Sequence, residues 1–408
     1  MDSWRGGEKP MRSQSEATAI LGDQRRLPLD QAGGRDQTGA EDGAGSGPQE
    51  VPDDRAPRTR RGVTKLPAIS LFSGAGGMDI GVDQAGFKTV CAIDFDPHCT
   101  NTLRRNARKK TVWNVDVGLL DGERLRETLE MDRGDLGLLH GGPPCQPFSQ
   151  IGKRGGLSDP RGMLIFDMVR ITKAFRPKAV MIEQVPYFLR ATMPDGRPVL
   201  QALATEFRQL GYRMHAHLLN ALSYGLPQRR ERVFIVCLRT EHGGFDYPLG
   251  NGVRRTVGDA LNGMPDPVPP DEKPVLPNHI DVTPPRDRER ISYVPEGLWL
   301  SKCKDAPPDI IRKLTRKDTT KFRRLDRSSV APTLRCGEAP YHPTENRYIT
   351  PREAARLQGF PDTHVLTGPI RGRTGSVRDL DQHRQVANAV PPPMAKAVAS
   401  SIAETLCR

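Results

Sequence analysis

A chain of 408 residues with 36% hydrophobic content is long enough for a large core and a second lobe. No apolar run approaches the ~20 residues of a membrane-spanning helix, and Met1 to Pro10 has no apolar stretch of the signal-peptide kind. The net charge is +12, and residues 1–65 are neutral overall, so the excess sits on the remainder, where it suits either ordinary solubility or an anionic polymer such as nucleic acid.

Residues 1–65 are rich in Gly, Asp, Gln, Arg and Pro, and are expected to be a disordered tail with one short helix near Ser15 to Leu21. From Leu66 strands and helices alternate. Ala68 to Phe72 is a short buried strand, Met78 to Ala85 a helix, and Thr89 to Ile93 a second strand ending at Asp94. Pro97 opens a helix, Thr111 to Val117 is a strand, and Leu136 to Leu139 is a fourth strand. Ile165 to Phe175 and Val199 to Leu210 are expected helices, with a strand at Val180 to Ile182 between them. Arg213 to Asn220 and Val233 to Leu238 complete the strand set. This alternation predicts an α/β fold built on a doubly wound sheet. Regularity stops at Arg239, and the stretch to Phe322 is Pro-rich and without sustained period. Helices are expected again at Pro351 to Leu357 and Pro391 to Leu406, with prolines in their first turns.

The seven cysteines, at 91, 99, 145, 237, 303, 336 and 407, form no Cys-x-x-Cys pair. No metal site is expected, and a reducing cytoplasm is the expected compartment.

Three features carry chemistry. The turn Phe72-Ser73-Gly74-Ala75-Gly76-Gly77 joins a strand to a helix, where glycine lets a ligand approach the backbone; glycine there also serves simple packing. Asp94 follows at the end of the next strand, where an acid holds the ribose hydroxyls of an adenosine cofactor. The pattern lacks both the full dinucleotide fingerprint and an ATP P-loop. Third, His140-Gly-Gly-Pro-Pro-Cys145-Gln-Pro-Phe-Ser149 follows a strand, and its prolines stiffen the loop around a thiol. Glu183 ends the next strand, so a parallel sheet would deliver thiol and carboxyl to one edge. The plain alternative for Cys145 is a buried, inert cysteine.

These blocks resemble the DNA (cytosine-5)-methyltransferase family, in family order from Leu66 to the end. The resemblance implies a Rossmann-like methyltransferase sheet, with S-adenosyl-L-methionine as cofactor and double-stranded DNA as partner. By that resemblance Phe72, Ser73, Gly74, Gly76 and Gly77 form the cofactor loop, Asp94 and Phe95 hold ribose and flank adenine, and Asp116 with Val117 contacts adenine. Pro144 and Cys145 form the nucleophile motif. Glu183 is its catalytic partner, and Arg230 and Arg232 of Gln228-Arg-Arg-Glu-Arg face the target base. Asn388 and Val390 return to close the cofactor pocket. The resemblance divides the chain into a catalytic part (66–239), a smaller irregular target-recognition domain (240–325) and a returning segment (326–408).

DNA contacts are expected from Ser149, Lys153 and Arg154, the last two within a mobile loop from Ile151 to Arg161. They are also expected from Lys313, Arg316 and Lys317, in a run, 301 to 324, of nine Lys/Arg against three Asp. A solvated face is the alternative for that run, and surface charges are the alternative for Arg230 and Arg232. The family has Asn where this chain has Gln184, one methylene longer, which puts rate in question more than reaction type. The expected activity is methylation of C5 of cytosine by base flipping and covalent catalysis, by a monomer serving restriction-modification or phage defence. A tRNA cytosine-5 methyltransferase and a non-catalytic DNA-binding homologue are the alternatives.

Overall fold

The computed structural model describes residues 65–107, 109–144, 164–311, 322–371 and 380–408. The expected tail up to residue 64 lies outside them, as do Cys145, Ser149, the loop bearing Lys153 and Arg154, and the basic residues Lys313, Arg316 and Lys317.

The first half runs β1 (Pro67–Leu71), α1 (Gly77–Gln84), β2 (Lys88–Asp94), α2 (Pro97–Asn106), β3 (Thr111–Asn114), α3 (Gly122–Thr128) and β4 (Leu138–Gly141). Then follow α4 (Leu164–Phe175), β5 (Ala179–Gln184), α5 (Val199–Gln209), β6 (Tyr212–Asn220), β7 (Gln228–Arg229) and β8 (Glu231–Arg239). The remainder is α6 (Val257–Leu261), α7 (Pro285–Ser292), α8 (Pro308–Ile311), β9 (Ala331–Pro332), α9 (Pro351–Leu357), α10 (Gln382–Asn388) and α11 (Pro392–Leu406). Among the described residues one sheet holds seven strands in the order β3-β2-β1-β4-β5-β8-β6. The five on the β3 side are parallel, and β8 pairs antiparallel with both β5 and β6. The fold is thus an α/β fold on a doubly wound, Rossmann-like sheet.

Alternation along the strands builds two core layers. Ile69, Leu71, Ile93, Leu139, Val180 and Ile182 face α3, α4 and α5 through Leu125, Ile171, Phe175, Leu203 and Phe207. Ala68, Leu138, Met181, Phe234 and Val236 face α1 and α11 through Met78, Val82, Met394, Val398 and Ile402. A third cluster packs α6, α9 and α10, and a fourth draws on residues from Ile291 to Tyr348, on both sides of position 325.

Several bounds differ from the sequence reading. The strand expected at 111–117 ends at Asn114, because Asp116 caps a 3-10 turn over Val117–Leu119 instead. The fourth strand runs to Gly141, two residues past its expected end. Helix α3 is capped by Asp121, whose carboxylate accepts from the Glu123 and Arg124 amides. The irregular stretch holds α6, α7 and α8, each too short to establish a period.

Helix α1 packs against α11 almost backbone to backbone. A Cβ at Gly81 would stand 2.5 Å from both the Lys396 nitrogen and the Pro392 carbonyl oxygen. At an ordinary helix interior Gly→Ala gains about 1 kcal/mol in propensity. Here the collision is with main chain, so we expect Gly81→Ala to destabilise by roughly 1–3 kcal/mol through overpacking. A denaturant midpoint shifted down at unchanged slope would show it.

Candidate active site

The carboxyl ends of β1, β2, β4 and β5 share one edge, and the chain leaves β1 and β4 toward opposite faces of the sheet. That is the topological switch point, where open α/β sheets leave a crevice.

On the β1 side the turn is strained. Phe72 adopts φ 53° and Gly74 φ 53°, and Gly76 caps α1 at φ 80°. The left-handed region costs a non-glycine residue roughly 1–2 kcal/mol, so Phe72 is held there by its surroundings. The Ser73 hydroxyl accepts from the Ile93 amide at 3.1 Å and lies 2.8 Å from Ser70 Oγ. Ser70 donates to Asp79 at 2.6 Å, and Asp79 pairs with the buried Lys110 at 2.9 Å. The glycines divide by role. A Cβ at Gly74 would meet nothing within 4 Å, leaving that backbone open to a ligand, whereas one at Gly77 would collide with the Val390 carbonyl and crowd Phe360 and Ala389. Gly77 therefore lets the returning segment close on the turn at Val390.

Asp94 ends β2 in a buried position. Its Oδ2 accepts from the Gly74 amide at 2.8 Å and its Oδ1 from the Asp96 amide at 2.9 Å. Burial pushes its pKa up to about 6, against the two backbone donors that lower it. Phe95, beside it, is exposed. Asp116 Oδ1 accepts from Gly118 N at 2.9 Å, and Val117 is buried in the core. Asn388, the last residue of α10, is exposed, and its side chain accepts from the Cys336 thiol.

On the β4 side the strand leads through Gly142 and Pro143 to the half-buried Pro144. Gln184 Nε2 donates to the Pro143 carbonyl at 3.1 Å, so the departure from the family Asn still braces this loop. Glu183 Oε1 pairs with Arg232 Nε at 2.7 Å, with both side chains nearly buried. Burial pushes the Glu183 carboxyl up, and Arg232 and then Arg230 pull it back. A Cβ at Gly142 would stand 3.3 Å from Glu183 Oε2, so the loop backbone runs past this carboxyl.

Arg230 is fully buried and differs from a surface charge at a strand start. Its Nη2 donates to the Ala387 and Ala389 carbonyls at 2.9 and 3.1 Å, and its Nη1 to Leu334 at 3.4 Å. Gln228 likewise turns inward, donating to Gln358 Oε1 at 2.6 Å and accepting from the Leu334 amide. Gln228 and Arg230 thus tie the motif to the chain's last third, while Arg232 pairs with Glu183. His140 is buried on β4, and burial pushes its pKa down to about 4, consistent with a neutral structural histidine.

Residues 66–404 match the family of C-5 cytosine-specific DNA methylases. The chain belongs to this family and is a DNA cytosine-5 methyltransferase. Among its relatives are the type II methyltransferase M.Eco47II of Escherichia coli, 33% identical over 83% of this chain and 79% of that one, and M1.HphI of Haemophilus parahaemolyticus, 32% identical over 83% and 86%. Among solved structures, a DNA modification methyltransferase encoded within a prophage (E. coli) superposes with a TM-score of 0.64 at 24% identity, covering 84% of this chain and all of that one. The likeness in structure bears on the fold alone.

Two predictions follow from the methyltransferase's two loops. Asp94 is held above its ordinary 3.8, so folding takes up a proton between that value and about 6, and stability falls with rising pH across this window. Asp94→Asn should abolish the decline: the melting temperature of wild type relative to the variant, measured without cofactor, should fall as pH rises from 4 to about 6 and then level. Gln184→Leu leaves the buried Pro143 carbonyl without its amide donor, a cost of about 1–3 kcal/mol. Single-turnover methyl transfer should slow by at least about tenfold while circular dichroism stays unchanged.

Proposed function

We propose that this methyltransferase uses S-adenosyl-L-methionine and a covalent cysteine to methylate C5 of a flipped cytosine within a specific duplex sequence. The observation that carries the reading is the nearly buried Glu183–Arg232 pair, set at the end of β5 beside the loop that runs on to Cys145.

The residues present suit the cofactor. The open backbone at Gly74, the buried acid Asp94 and the exposed face of Phe95 fit a group carrying ribose hydroxyls and an aromatic base. Asp94 would hold the ribose, Phe72 and Phe95 would flank the adenine, and Asp116 would meet its edge with Val117. Ser73, Gly76, Gly77, Pro144, Asn388 and Val390 would complete the walls. When bound, S-adenosyl-L-methionine supplies an electrophilic methyl group.

The chain's own groups would prepare the base. C5 of cytosine is a weak nucleophile, and addition of the Cys145 thiolate to C6 turns the ring into an enamine. A thiolate needs nearby positive charge, for which Arg232 stands at the same sheet edge. Glu183, with its pKa raised by burial, is suited to hold a proton toward N3, where negative charge develops. Arg232 orients that carboxyl and adds electrostatic stabilisation of the ring. We assign Arg230 a bracing role, since its guanidinium is occupied by backbone carbonyls. Loss of the C5 proton to a base and elimination then free Cys145. A stacked cytosine cannot reach such a crevice, so the base must leave the helix.

Residues 240–325, together with the stretch to Tyr348 that shares their small core, are the candidate target-recognition region. Ser149, Lys153, Arg154, Lys313, Arg316 and Lys317 are candidate phosphate contacts. Action as a monomer in the cytoplasm, within a restriction-modification or phage-defence setting, is part of the proposal, and the type II names of the relatives bear on the restriction-modification setting alone. No described helix is long and apolar enough to cross a membrane.

The decisive experiment pairs bisulfite sequencing of DNA from expressing cells with trapping on 5-fluorocytosine. The identified site should be methylated, and duplexes carrying 5-fluorocytosine there should form a denaturant-resistant complex, because fluorine blocks the final elimination. Cys145→Ala should bind DNA yet lose both signals. Full turnover by Cys145→Ala, or no adduct from an active wild type, would defeat the covalent mechanism.

A further inference from the structure

We infer that Asp96 is a positioning residue for the cofactor site, a latch that holds the returning C-terminal segment against the strand end bearing Asp94. Asp96 is fully buried between β2 and α2. Its Oδ1 accepts from the Cys99 amide at 2.9 Å and so caps α2. Its Oδ2 accepts from the Leu380 amide at 2.8 Å, across 284 residues of sequence. Its own amide donates to Asp94 Oδ1 at 2.9 Å.

Capping explains only part of this arrangement. An N-cap needs one side-chain oxygen, and serine, threonine or asparagine serves as well as aspartate. The second oxygen is spent on Leu380, just ahead of α10, whose last residue is Asn388 and which Val390 follows against Gly77. The contact is not isolated. Thr102 donates to Gln385 Oε1 at 2.7 Å, Gln385 Nε2 donates to the Leu380 and Thr367 carbonyls, and the Thr367 hydroxyl donates to the His98 carbonyl. Asn106 exchanges two bonds with Val365. One side of the α2 segment is therefore a row of donors and acceptors matched to Val365, Thr367, Leu380 and Gln385. Asp96 is the member that also touches Asp94, and Asp94 in turn holds the Gly74 amide. A shift at Leu380 reaches the proposed ribose acid through two hydrogen bonds.

This inference rests on the reading that Asp94 and the returning segment line the cofactor pocket. Asp96→Ser separates the two jobs, because serine keeps the cap and cannot span to Leu380. We expect its affinity for S-adenosylhomocysteine, measured by calorimetry, to fall about tenfold, as for loss of a charge-assisted bond. Affinity for a duplex without cofactor should stay within about twofold. KM for S-adenosylmethionine should rise in parallel while kcat at saturation is largely kept, a split that general destabilisation would not produce. Asp96→Asn keeps a single acceptor, which can serve the cap or the Leu380 amide but not both, so it should recover part of the loss at most, and Leu380→Pro serves as the test should Asp96→Ser fail to fold. Leu380→Pro removes the donor from the other end, and combined with Asp96→Ser it should cost no more than either change alone. A folded Asp96→Ser or Leu380→Pro that binds S-adenosylhomocysteine as tightly as wild type would overturn the latch alone. A wild type that binds none would remove the cofactor reading and the latch with it.

Discussion

Strand β1 pairs with β2 on one side and with β4 on the other, and that double pairing is what gives the enzyme a site. Helix α1 follows β1 onto one face of the sheet, while α4 packs on the opposite face after β4. The two connections diverge, and a gap is left where they part. The strained turn from Phe72 to Gly76 borders one wall of the gap, and Gly142 to Pro144 borders the other. Register fixes the rest. His140 lies beside Ser70 and Met181, so β1, β4 and β5 end nearly level and Glu183 arrives at the same edge. A slip of one residue in β5 would send Glu183 into a core layer and put Ile182 or Gln184 in its place.

Charge inside this edge is organised around scarcity of water. Glu183 is nearly buried, which favours its neutral form, yet Arg232 sits at 2.7 Å and favours the ionised one. Burial outweighs the guanidinium and holds the carboxyl above its ordinary range, which suits the proton-holding role proposed for it. Arg230 shows the contrasting use of the same residue type. Burial strongly disfavours its charge, and carbonyl oxygens from Leu334, Ala387 and Ala389 receive its protons. The guanidinium fork joins three backbone points that no apolar side chain could join, at the expense of desolvation.

Much of this was legible in the sequence because strong local signals coincided with it. Apolar runs bounded by Gly, Pro and Asp marked β1, β2, β4 and β5, and Pro-Cys and Glu183 follow them directly. The failures have physical reasons. Helix α3 is short, with Leu125 its only buried large apolar side chain, so periodicity is silent, although Asp121 before Gly-Glu is a capping signal. Helix α10 is held by Asp381, Gln382 and Gln385 hydrogen bonds more than by an apolar stripe, so periodicity is silent there too. Arg230 and Arg232 are two apart in one motif, and spacing alone could not tell which turns inward. Asp96 was passed over for the same reason, although Asp96-Pro97 is an N-cap followed by proline at the first helical position. What its second oxygen binds is a matter of tertiary structure.

The contacts that complete the proposed cofactor pocket are all of long range. Gly77 meets Val390, Arg230 meets Ala387 and Ala389, and Asp96 meets Leu380. Each joins the body of the sheet to the last 30 residues or so, and each uses a polar or close-packed backbone contact in place of a bulky side chain. Such contacts form late, because long loops must close before any of them is rewarded. They also make ligand affinity conditional: a pocket whose wall is docked only part of the time binds with its intrinsic affinity reduced by the docked fraction. A ligand that touches both the glycine turn and the returning segment gains from docking and strengthens it in return, since binding to the closed form stabilises that form by mass action. The packing of α1 on the returning segment, with Gly77 against Val390 and Gly81 against α11, would therefore bear on affinity for the proposed cofactor alongside the side chains proposed to touch it.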